Sequence, residues 1–352
     1  MKMKALTAFA LGTLLYASAF AADKPTVVIL ATGGTIAGAG GSASSNAYTA
    51  GEVKIQHLVA GVPGVNNLAN LKFEQVANIP SQDMNDEVWL KLANAAQKYL
   101  DDDSISGVVI THGTDTMEET AFFLNLVLNT DKAVVVTGSM RPSTAISADG
   151  PINLYNSVAV AASKEAKGKG VLIVMNDRIY DARDCTKTNT STCDTFASPN
   201  TGSIGFIDFG NIRIYKAPLR KHTSASEFNI KNITALPKVD IVYEYEGGAT
   251  DILKAVVANR DVKGIVVAGV GDGNLYTTDF APLSDARTKG TAVVMSSRTG
   301  SGCVWKNSEM ENDKLQFNTA DTLNPAKARV LLRLLLTKTN DYNKIEEAFN
   351  TY

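Results

Sequence analysis

Short apolar runs alternate with longer amphipathic segments along most of the chain. Four runs rich in β-branched residues occupy the first half, at Thr26 to Ala31, Gly107 to Thr111, Ala133 to Thr137 and Val171 to Asn176. Strands that are apolar on both faces are typical of a parallel sheet covered by helices. Between them, the apolar spacing predicts helices at Asp86 to Leu100, Met117 to Leu128 and Asn153 to Lys164. This alternation predicts an α/β fold with a large, mostly parallel sheet and flanking helices.

The alternation breaks off after Phe206 and starts again after Pro237. The new strands are predicted at Ile241 to Tyr245, Gly264 to Gly269 and Ala292 to Ser296, and the last helices at Pro325 to Leu336 and Lys344 to Asn350. We therefore expect a larger N-terminal α/β domain at residues 22–235 and a smaller C-terminal α/β domain at residues 236–352.

The amino terminus has the features of a secretory signal peptide. Lys2 and Lys4 precede an apolar run from Leu6 to Phe20, and Ala19-Phe20-Ala21 has the small-x-small pattern of a cleavage site. The run is shorter than the roughly 20 residues that a membrane-spanning helix needs. The sequence predicts residues 1–21 as a signal peptide cleaved after Ala21, and a periplasmic protein with no membrane attachment after cleavage.

Composition narrows the possible functions. The chain of 352 residues is 45% hydrophobic and 20% charged, with a formal net charge of -2, which argues against a dedicated nucleic-acid binder. Its three cysteines and three histidines show no metal-ligand spacing, so we expect no structural zinc or iron-sulfur site. Export would allow a disulfide between Cys185 and Cys193, which we predict over the alternative of two free thiols, and would leave Cys303 unpaired.

Polar residues follow the first predicted strand at Gly33-Gly34-Thr35. Ligands bind at the carboxyl ends of strands in open α/β sheets. Adjacent glycines allow close backbone approach and can aim N–H groups at an anion, while Thr35 supplies a hydroxyl group. A nucleotide loop is the competing interpretation, but neither dinucleotide nor P-loop spacing occurs here.

A second polar turn, Gly113-Thr114-Asp115, follows the strand that ends at Thr111. Helix capping accounts for a box formed by Thr116 and Glu119, but not for the hydroxyl and carboxylate beside a glycine. A hydroxyl nucleophile needs a proton acceptor, and a lysine near a carboxylate can serve, which makes Lys187 a candidate. The sequence does not by itself bring Lys187 to Thr114.

A third polar turn, Ser81-Gln82-Asp83, precedes the helix that begins near Asp86. An N-cap explains only one of the polar residues here, either Asp83 or Asn85. The others could reach the same cleft, so Ser81, Gln82 and Asp83 are candidate substrate ligands.

Eight stretches occur in the order typical of one family: ATGGTIAG, SQDMND, GVVITHGTDTMEET, GSMRPSTAISADGP, VMND with RDCTKTN, RKHTS, GVGDGNLY and TLNPAKARVLL. Together they resemble the type II bacterial L-asparaginases across nearly the whole chain after residue 21. The resemblance implies hydrolysis of L-asparagine to L-aspartate and ammonia, with some activity on L-glutamine and no cofactor.

The resemblance also implies roles for individual residues. Thr35 matches the nucleophile that forms an acyl-enzyme, and Tyr48 lies on the loop that closes over it. Thr114, Lys187 and Asp115 match a relay that polarises the amide and positions water. The family's remaining substrate contacts match Ser81, Gln82 and the backbone at Gly113 and Asp115, with the Ser139 carbonyl receiving the leaving nitrogen.

The family assembles as a homotetramer with D2 symmetry and builds each site at a subunit contact. Asn274 and Glu309 match residues that reach the substrate's ammonium group from the neighbouring subunit. Asp272 replaces a residue that is commonly uncharged in relatives.

Other functions stay open on sequence alone. A periplasmic solute-binding protein would also be exported and α/β, but it would not turn substrate over. A glutaminase-asparaginase that prefers glutamine is a second alternative. A redox protein using Cys185 and Cys193 is disfavoured because their spacing is not C-x-x-C.

Overall fold

The computed structural model describes residues 24–38 and 55–352. The predicted signal peptide and Tyr48 lie outside the described residues. Within the described part of the chain, no helix is both long enough and apolar enough to cross a membrane.

An eight-stranded sheet is the framework of the N-terminal half, in the order β10-β9-β6-β5-β4-β3-β1-β2. Strands β1 to β5 run parallel, while β6, β9 and β10 add an antiparallel edge. A separate two-stranded ribbon pairs β7 with β8. The bounds are β1 Thr26–Gly33, β2 Asn70–Ile79, β3 Gly107–Thr111, β4 Ala133–Thr137, β5 Val171–Met175, β6 Arg178–Asp181, β7 Thr186–Lys187, β8 Phe196–Ala197, β9 Gly205–Asp208 and β10 Asn211–Ile214.

A smaller sheet, in the order β11-β12-β13-β14, forms the C-terminal half, and all its neighbouring strands are parallel. Its strands are β11 Lys238–Tyr243, β12 Val262–Gly269, β13 Ala292–Ser297 and β14 Asn318–Thr319. The α/β class and the two sheets are as the sequence predicts. The boundaries at residues 22–235 and 236–352 stay a prediction.

Helices cover the sheets. They are α1 Ile55–Ala60, α2 Val65–Leu68, α3 Asp86–Leu100, α4 Met117–Val127, α5 Gly150–Ala162, α6 Thr250–Ala258, α7 Phe280–Thr288, α8 Asn312–Leu315, α9 Pro325–Leu335 and α10 Tyr342–Thr351. Asn85 caps α3 by accepting the Val88 N–H at 3.1 Å, and Asn324 caps α9 by accepting the Lys327 N–H at 3.0 Å. These caps fix where both helices begin.

One hydrophobic cluster continues from the large sheet into the small one. It joins Val108 and Phe123 of the first half to Val266 and Leu331 of the second. Helices α4 and α9 pack against each other across this junction. Because they share a core, the two halves hold the loops at the carboxyl ends of β1, β2 and β3 in a fixed relation to α9.

Candidate functional site

Three loops converge where β1, β2 and β3 end. A Cβ atom on Gly34 would lie 2.4 Å from the Gly113 Cα, and one on Gly113 would lie 2.6 Å from the Ser81 Oγ. Gly34 also has φ +81°, a conformation that favours glycine. Only glycine at both positions allows this approach, which gathers the three candidate turns into one site.

Thr35 lies in a single helical turn, Thr35–Ala37, directly after the glycine pair, and is 8% exposed. The Gly34 N–H donates to the Ile79 carbonyl at 3.2 Å. That N–H is therefore committed to the end of β2, so the contribution of Gly34 is the close packing that places Thr35.

Ser81 connects the third turn to the second. Its Oγ accepts the Asp115 N–H at 3.1 Å, and its carbonyl accepts the Thr116 hydroxyl at 2.7 Å. The predicted capping box of Thr116 and Glu119 is wrong, because the Thr116 hydroxyl is directed to Ser81 and caps no helix N–H. Gln82 and Asp83 are exposed on the same turn as the buried Ser81.

Lys187 and Thr114 come together across 73 residues of sequence. The Lys187 Nζ lies 3.0 Å from the Thr114 Oγ1 and 2.6 Å from the Asp115 Oδ1. The Lys187 side chain is 16% exposed, against 56% for Asp115. An amine so placed can exchange a proton with the hydroxyl group while the carboxylate balances its charge.

His112 stabilises the Gly113-Thr114-Asp115 turn through a buried hydrogen bond. It is completely buried, and its Nδ1 lies 2.7 Å from the Gly113 carbonyl oxygen. Burial lowers the pKa of His112 to about 4, so the ring is neutral at physiological pH and its Nδ1–H donates to Gly113. This role of His112 was not predicted from the sequence. A histidine directly after a buried strand and before a glycine was its only signal.

Ser139 lies at the end of β4, beside the same loops. It is fully buried and donates its hydroxyl to the Arg141 carbonyl at 2.8 Å. A Cβ on Gly138 would lie 3.3 Å from the Thr114 Cγ2, so this turn touches the Thr114 loop. Asp149, which the sequence analysis missed, accepts the Met140 N–H at 2.9 Å and the Arg141 N–H at 2.9 Å and so holds the turn.

Asn274 and Glu309 form a separate pair in the C-terminal half. The Asn274 Nδ2 donates to the Glu309 Oε2 at 2.8 Å, and Glu309 is exposed. Asp272 accepts the Trp305 N–H at 2.8 Å and the Ser308 hydroxyl at 2.5 Å. Asp272 thus fixes the loop that carries Glu309.

The predicted disulfide is wrong in this structure, where Cys185 and Cys193 are both free. Cys185 is fully buried in the large hydrophobic cluster, near Lys327 and Glu118, whereas Cys193 is partly exposed near Asp149. The two cysteines are close in sequence, but the Cys185 thiol lies in the hydrophobic core beside the ribbon of β7 and β8, whereas Cys193 does not. Burial raises the pKa of both thiols.

No group of His, Cys, Asp and Glu side chains in residues 24–38 and 55–352 is arranged to hold a metal ion. The chemistry of the described cluster is that of hydroxyl, amine and carboxylate groups. Such groups suit nucleophilic attack on a carbonyl carbon with proton relay.

Two family models match the chain. "Asparaginase, N-terminal" matches residues 26–220, and "Glutaminase/Asparaginase C-terminal domain" matches residues 238–349.

Curated relatives extend over nearly the whole chain. "L-asparaginase 2" of Escherichia coli (strain K12) is 50% identical over 100% of this chain and 99% of the relative. "Probable L-asparaginase periplasmic" of Haemophilus influenzae is 47% identical over the same shares. "Glutaminase-asparaginase" of Pseudomonas fluorescens is 46% identical over 93% of this chain and 90% of the relative.

A solved structure shares the fold. The crystal structure of a probable cytoplasmic L-asparaginase from Campylobacter jejuni superposes with a TM-score of 0.90 at 47% identity, covering 94% of this chain and 100% of that chain.

Proposed function

The chain belongs to the asparaginase family, and on that premise we propose that it hydrolyses L-asparagine to L-aspartate and ammonia, with L-glutamine as a secondary substrate. The observation that carries the proposal is the Lys187 amine held 3.0 Å from the Thr114 hydroxyl and 2.6 Å from the Asp115 carboxylate. A pure binding protein has no need of such a relay beside the loop that bears Thr35.

In the first half of the proposed reaction, the Thr35 hydroxyl attacks the side-chain amide carbon of asparagine. The C–N bond breaks, the nitrogen leaves as ammonia with the hydroxyl proton, and an ester forms between Thr35 and the aspartyl group. Tyr48 and the Ser139 carbonyl are the proposed neighbours of the hydroxyl group and of the leaving nitrogen, respectively.

In the second half, water attacks the ester and restores the Thr35 hydroxyl. The proposed relay for this step consists of Thr114, Lys187 and Asp115. It orients the water molecule and accepts a proton from it. The burial of Thr114 and the 16% exposure of the Lys187 side chain support this role, because hydrogen bonds to charged groups are stronger where water is excluded.

Substrate binding follows from the charges of the site. We propose that Ser81 and the backbone at Gly113 hold the α-carboxylate, while Gln82, Asp83 and Asp115 face the α-ammonium group. Lys187 contacts the Asp115 Oδ1, and the half-exposed carboxylate can present its other oxygen to the substrate. Gly34 supports the site through its contact with Gly113.

We propose that the protein acts as a homotetramer in which Asn274 and Glu309 complete a neighbouring subunit's site. The exposure of Trp305 and Tyr276, at 67% and 48%, supports a contact there, since large exposed aromatic side chains mark protein interfaces. Co-expression of Thr35→Ala and Glu309→Ala chains tests it: at asparagine concentrations below KM, mixed tetramers should be more active than the average of the two variants, because some of their sites combine an intact Thr35 with a neighbour's intact Glu309. Activity no higher than the average of the two variants would contradict a shared site.

Periplasmic location after cleavage at Ala21 is also proposed, in line with the name of the Haemophilus influenzae relative. Residues 22–235 and 236–352 remain the proposed domains. Mass spectrometry of the exported protein would test the cleavage site: a mature chain beginning at Ala22 is expected, and a chain retaining residues 1–21 would contradict it.

Ammonia release from the purified mature protein tests the activity. L-Asparagine and L-glutamine are supplied separately, with Thr35→Ala as the matched variant. Release from both substrates, faster from asparagine and lost in the variant, is expected. No release, with one substrate still raising the melting temperature, would indicate a binding protein. Faster release from glutamine would make the enzyme a glutaminase-asparaginase.

A further inference from the structure

Glu118 is a buried carboxylate that the proposed reaction does not use. It lies in the first turn of α4, one turn after Thr114, and is 9% exposed. Its Oε2 accepts the Thr186 hydroxyl at 2.6 Å and the Lys187 N–H at 2.7 Å. Both donors belong to β7. Glu118 therefore binds the backbone of Lys187, the residue whose amine contacts Thr114.

The other oxygen of Glu118 faces the C-terminal half. Its Oε1 accepts the Asn324 side-chain amide at 2.7 Å, and the same Asn324 caps α9. One turn further, the Lys327 ammonium is 1% exposed and donates to the Arg183 carbonyl at 2.8 Å and to the Cys185 carbonyl. The segment 183–187 is therefore held by a carboxylate from α4 and an ammonium from α9.

We propose that Glu118 is a positioning residue for Lys187, and that it ties the proposed catalytic relay to the start of α9. The role rests on the proposed asparaginase activity. Lys187 lies in a ribbon of only two short strands, whose few ladder hydrogen bonds cannot fix a long side chain on their own. Because Glu118 holds the Lys187 backbone in place, the Lys187 side chain extends toward Thr114 and Asp115 from a fixed Cα position.

The chemistry requires a carboxylate at position 118. All three partners of Glu118 are donors, and an ionised carboxylate only accepts hydrogen bonds. In Glu118→Gln the shape is kept, but an NH2 group must face at least one of those donors. The cost of that mismatch is a shift of β7 or of Asn324, either of which moves Lys187.

Steady-state kinetics of Glu118→Gln test the proposal, with Glu119→Gln as the control. Glu119 is the next residue on α4, and it faces Arg329 at 4.0 Å rather than Thr186, Lys187 or Asn324. Because a displacement of about 1 Å can cost on the order of 100-fold in rate, we expect kcat for asparagine to fall about 10- to 100-fold. KM should change by less than about 3-fold, since the turns of Ser81 and Gly113 are untouched.

A smaller change on the partner side gives a second measurement should Glu118→Gln not fold. Thr186→Val removes one donor and leaves the Lys187 N–H on the carboxylate. It should lower kcat about 3- to 10-fold with KM preserved, as expected for losing one charge-assisted hydrogen bond.

Two results would overturn the positioning role. One is a kcat in Glu118→Gln or Thr186→Val equal to that of Glu119→Gln. The other is a loss in which KM rises as much as kcat falls, which would indicate general damage to the site. An unaltered protein that releases no ammonia would instead refute the proposed activity, and with it this role.

Discussion

The polar cluster around Thr114 and the pair of Asn274 and Glu309 are held in opposite ways. Thr114 is buried, and Lys187 reaches it from a distant part of the chain through hydrogen bonds of 3.0 Å and 2.6 Å to the Thr114 loop. Asn274 and Glu309 bond to each other on the surface, over a loop that Asp272 secures.

In the proposed reaction, this difference assigns proton transfer to the Thr114 cluster and substrate recognition to the pair of Asn274 and Glu309. A buried relay gains from low dielectric and fixed geometry, which proton transfer requires. A hydrogen bond between exposed side chains contributes little to stability, but such side chains remain accessible to a charged group of a substrate. One chain can therefore contain the complete relay while contributing its exposed pair to a site elsewhere, as the proposed tetramer requires.

Breaking the buried cluster should have the largest effect. Thr114→Val removes the hydroxyl group that Lys187 contacts, and kcat should fall by about 1,000-fold or more, because groups that act as a relay fail together. Thr111→Val is the matched control. Thr111 is the last residue of β3, the strand that leads to Thr114, and its hydroxyl is buried without a hydrogen-bond partner among the described residues. We therefore expect kcat to be unchanged in Thr111→Val. Comparable loss in both variants would contradict a specific role for Thr114.

The stability of the half that carries Asn274 and Glu309 depends on two neighbouring acidic side chains, Glu244 and Asp279. Glu244 is buried beside Asp279, and burial, followed by the Asp279 charge, raises the pKa of Glu244 from 4.5 to about 7. The folded state therefore keeps a proton that the unfolded state releases above pH 4.5. Stability should fall as pH rises from 4.5 to 7, because an ionised Glu244 then costs about 3 kcal/mol.

Glu244→Gln removes that cost. At pH 8 the variant should be more stable than the unaltered protein by up to about 3 kcal/mol, and at pH 4 the difference should vanish. Denaturant unfolding at the two pH values measures it, with the exposed Glu246→Gln as control. A gain at pH 4 as large as that at pH 8 would refute the titration of Glu244.

Weakening the exposed pair should affect binding more than turnover. Glu309→Gln removes a carboxylate that faces the substrate's ammonium in the proposed tetramer. The loss of one hydrogen bond to a charged group should raise KM about 10-fold, with kcat changed less. Initial rates over a range of asparagine concentrations separate the two constants, and Glu311→Gln is the control. A fall in kcat alone would place Glu309 in the chemistry.

Asp272→Asn should have the smallest effect. Asparagine keeps one acceptor oxygen for either the Trp305 N–H or the Ser308 hydroxyl, so the loop loosens without being released. KM should rise about 2- to 5-fold, consistent with the loss of one hydrogen bond. A KM change as large as that of Glu309→Gln would mean that Asp272 contacts the substrate itself.

The buried strands were predictable because their physical signal is local. Strands β1, β3, β4 and β5 are apolar on both faces, and their bounds agree with prediction within two residues. Strand β2 was missed, since NLKFEQVANI is an edge strand whose residues are mostly exposed or half-buried. The hairpin of β9 and β10 was missed too, because each strand has only four residues. Helix α5 begins at Gly150, three residues before the prediction.

The site was predictable only in part. Glycines and hydroxyl groups at strand ends marked Thr35 and Thr114, but no spacing rule brings Lys187 to Thr114 across 73 residues, and the family resemblance supplied that pairing. Glu118 was missed because its partners, Thr186 and Asn324, lie 68 and 206 residues away in sequence. The disulfide prediction failed for the converse reason, because Cys185 and Cys193 are close in sequence but their side chains lie in different surroundings, one buried and one partly exposed.

Trapping the acyl-enzyme would identify the nucleophile directly. The protein and Thr114→Val are mixed with L-asparagine, quenched in acid and mapped by peptide mass spectrometry. We expect an aspartyl adduct on the peptide containing Thr35, and more of it in Thr114→Val, where hydrolysis of the ester is impaired. An adduct on Thr114 in the unaltered protein, with Thr35 unmodified, would contradict the assignment of the nucleophile.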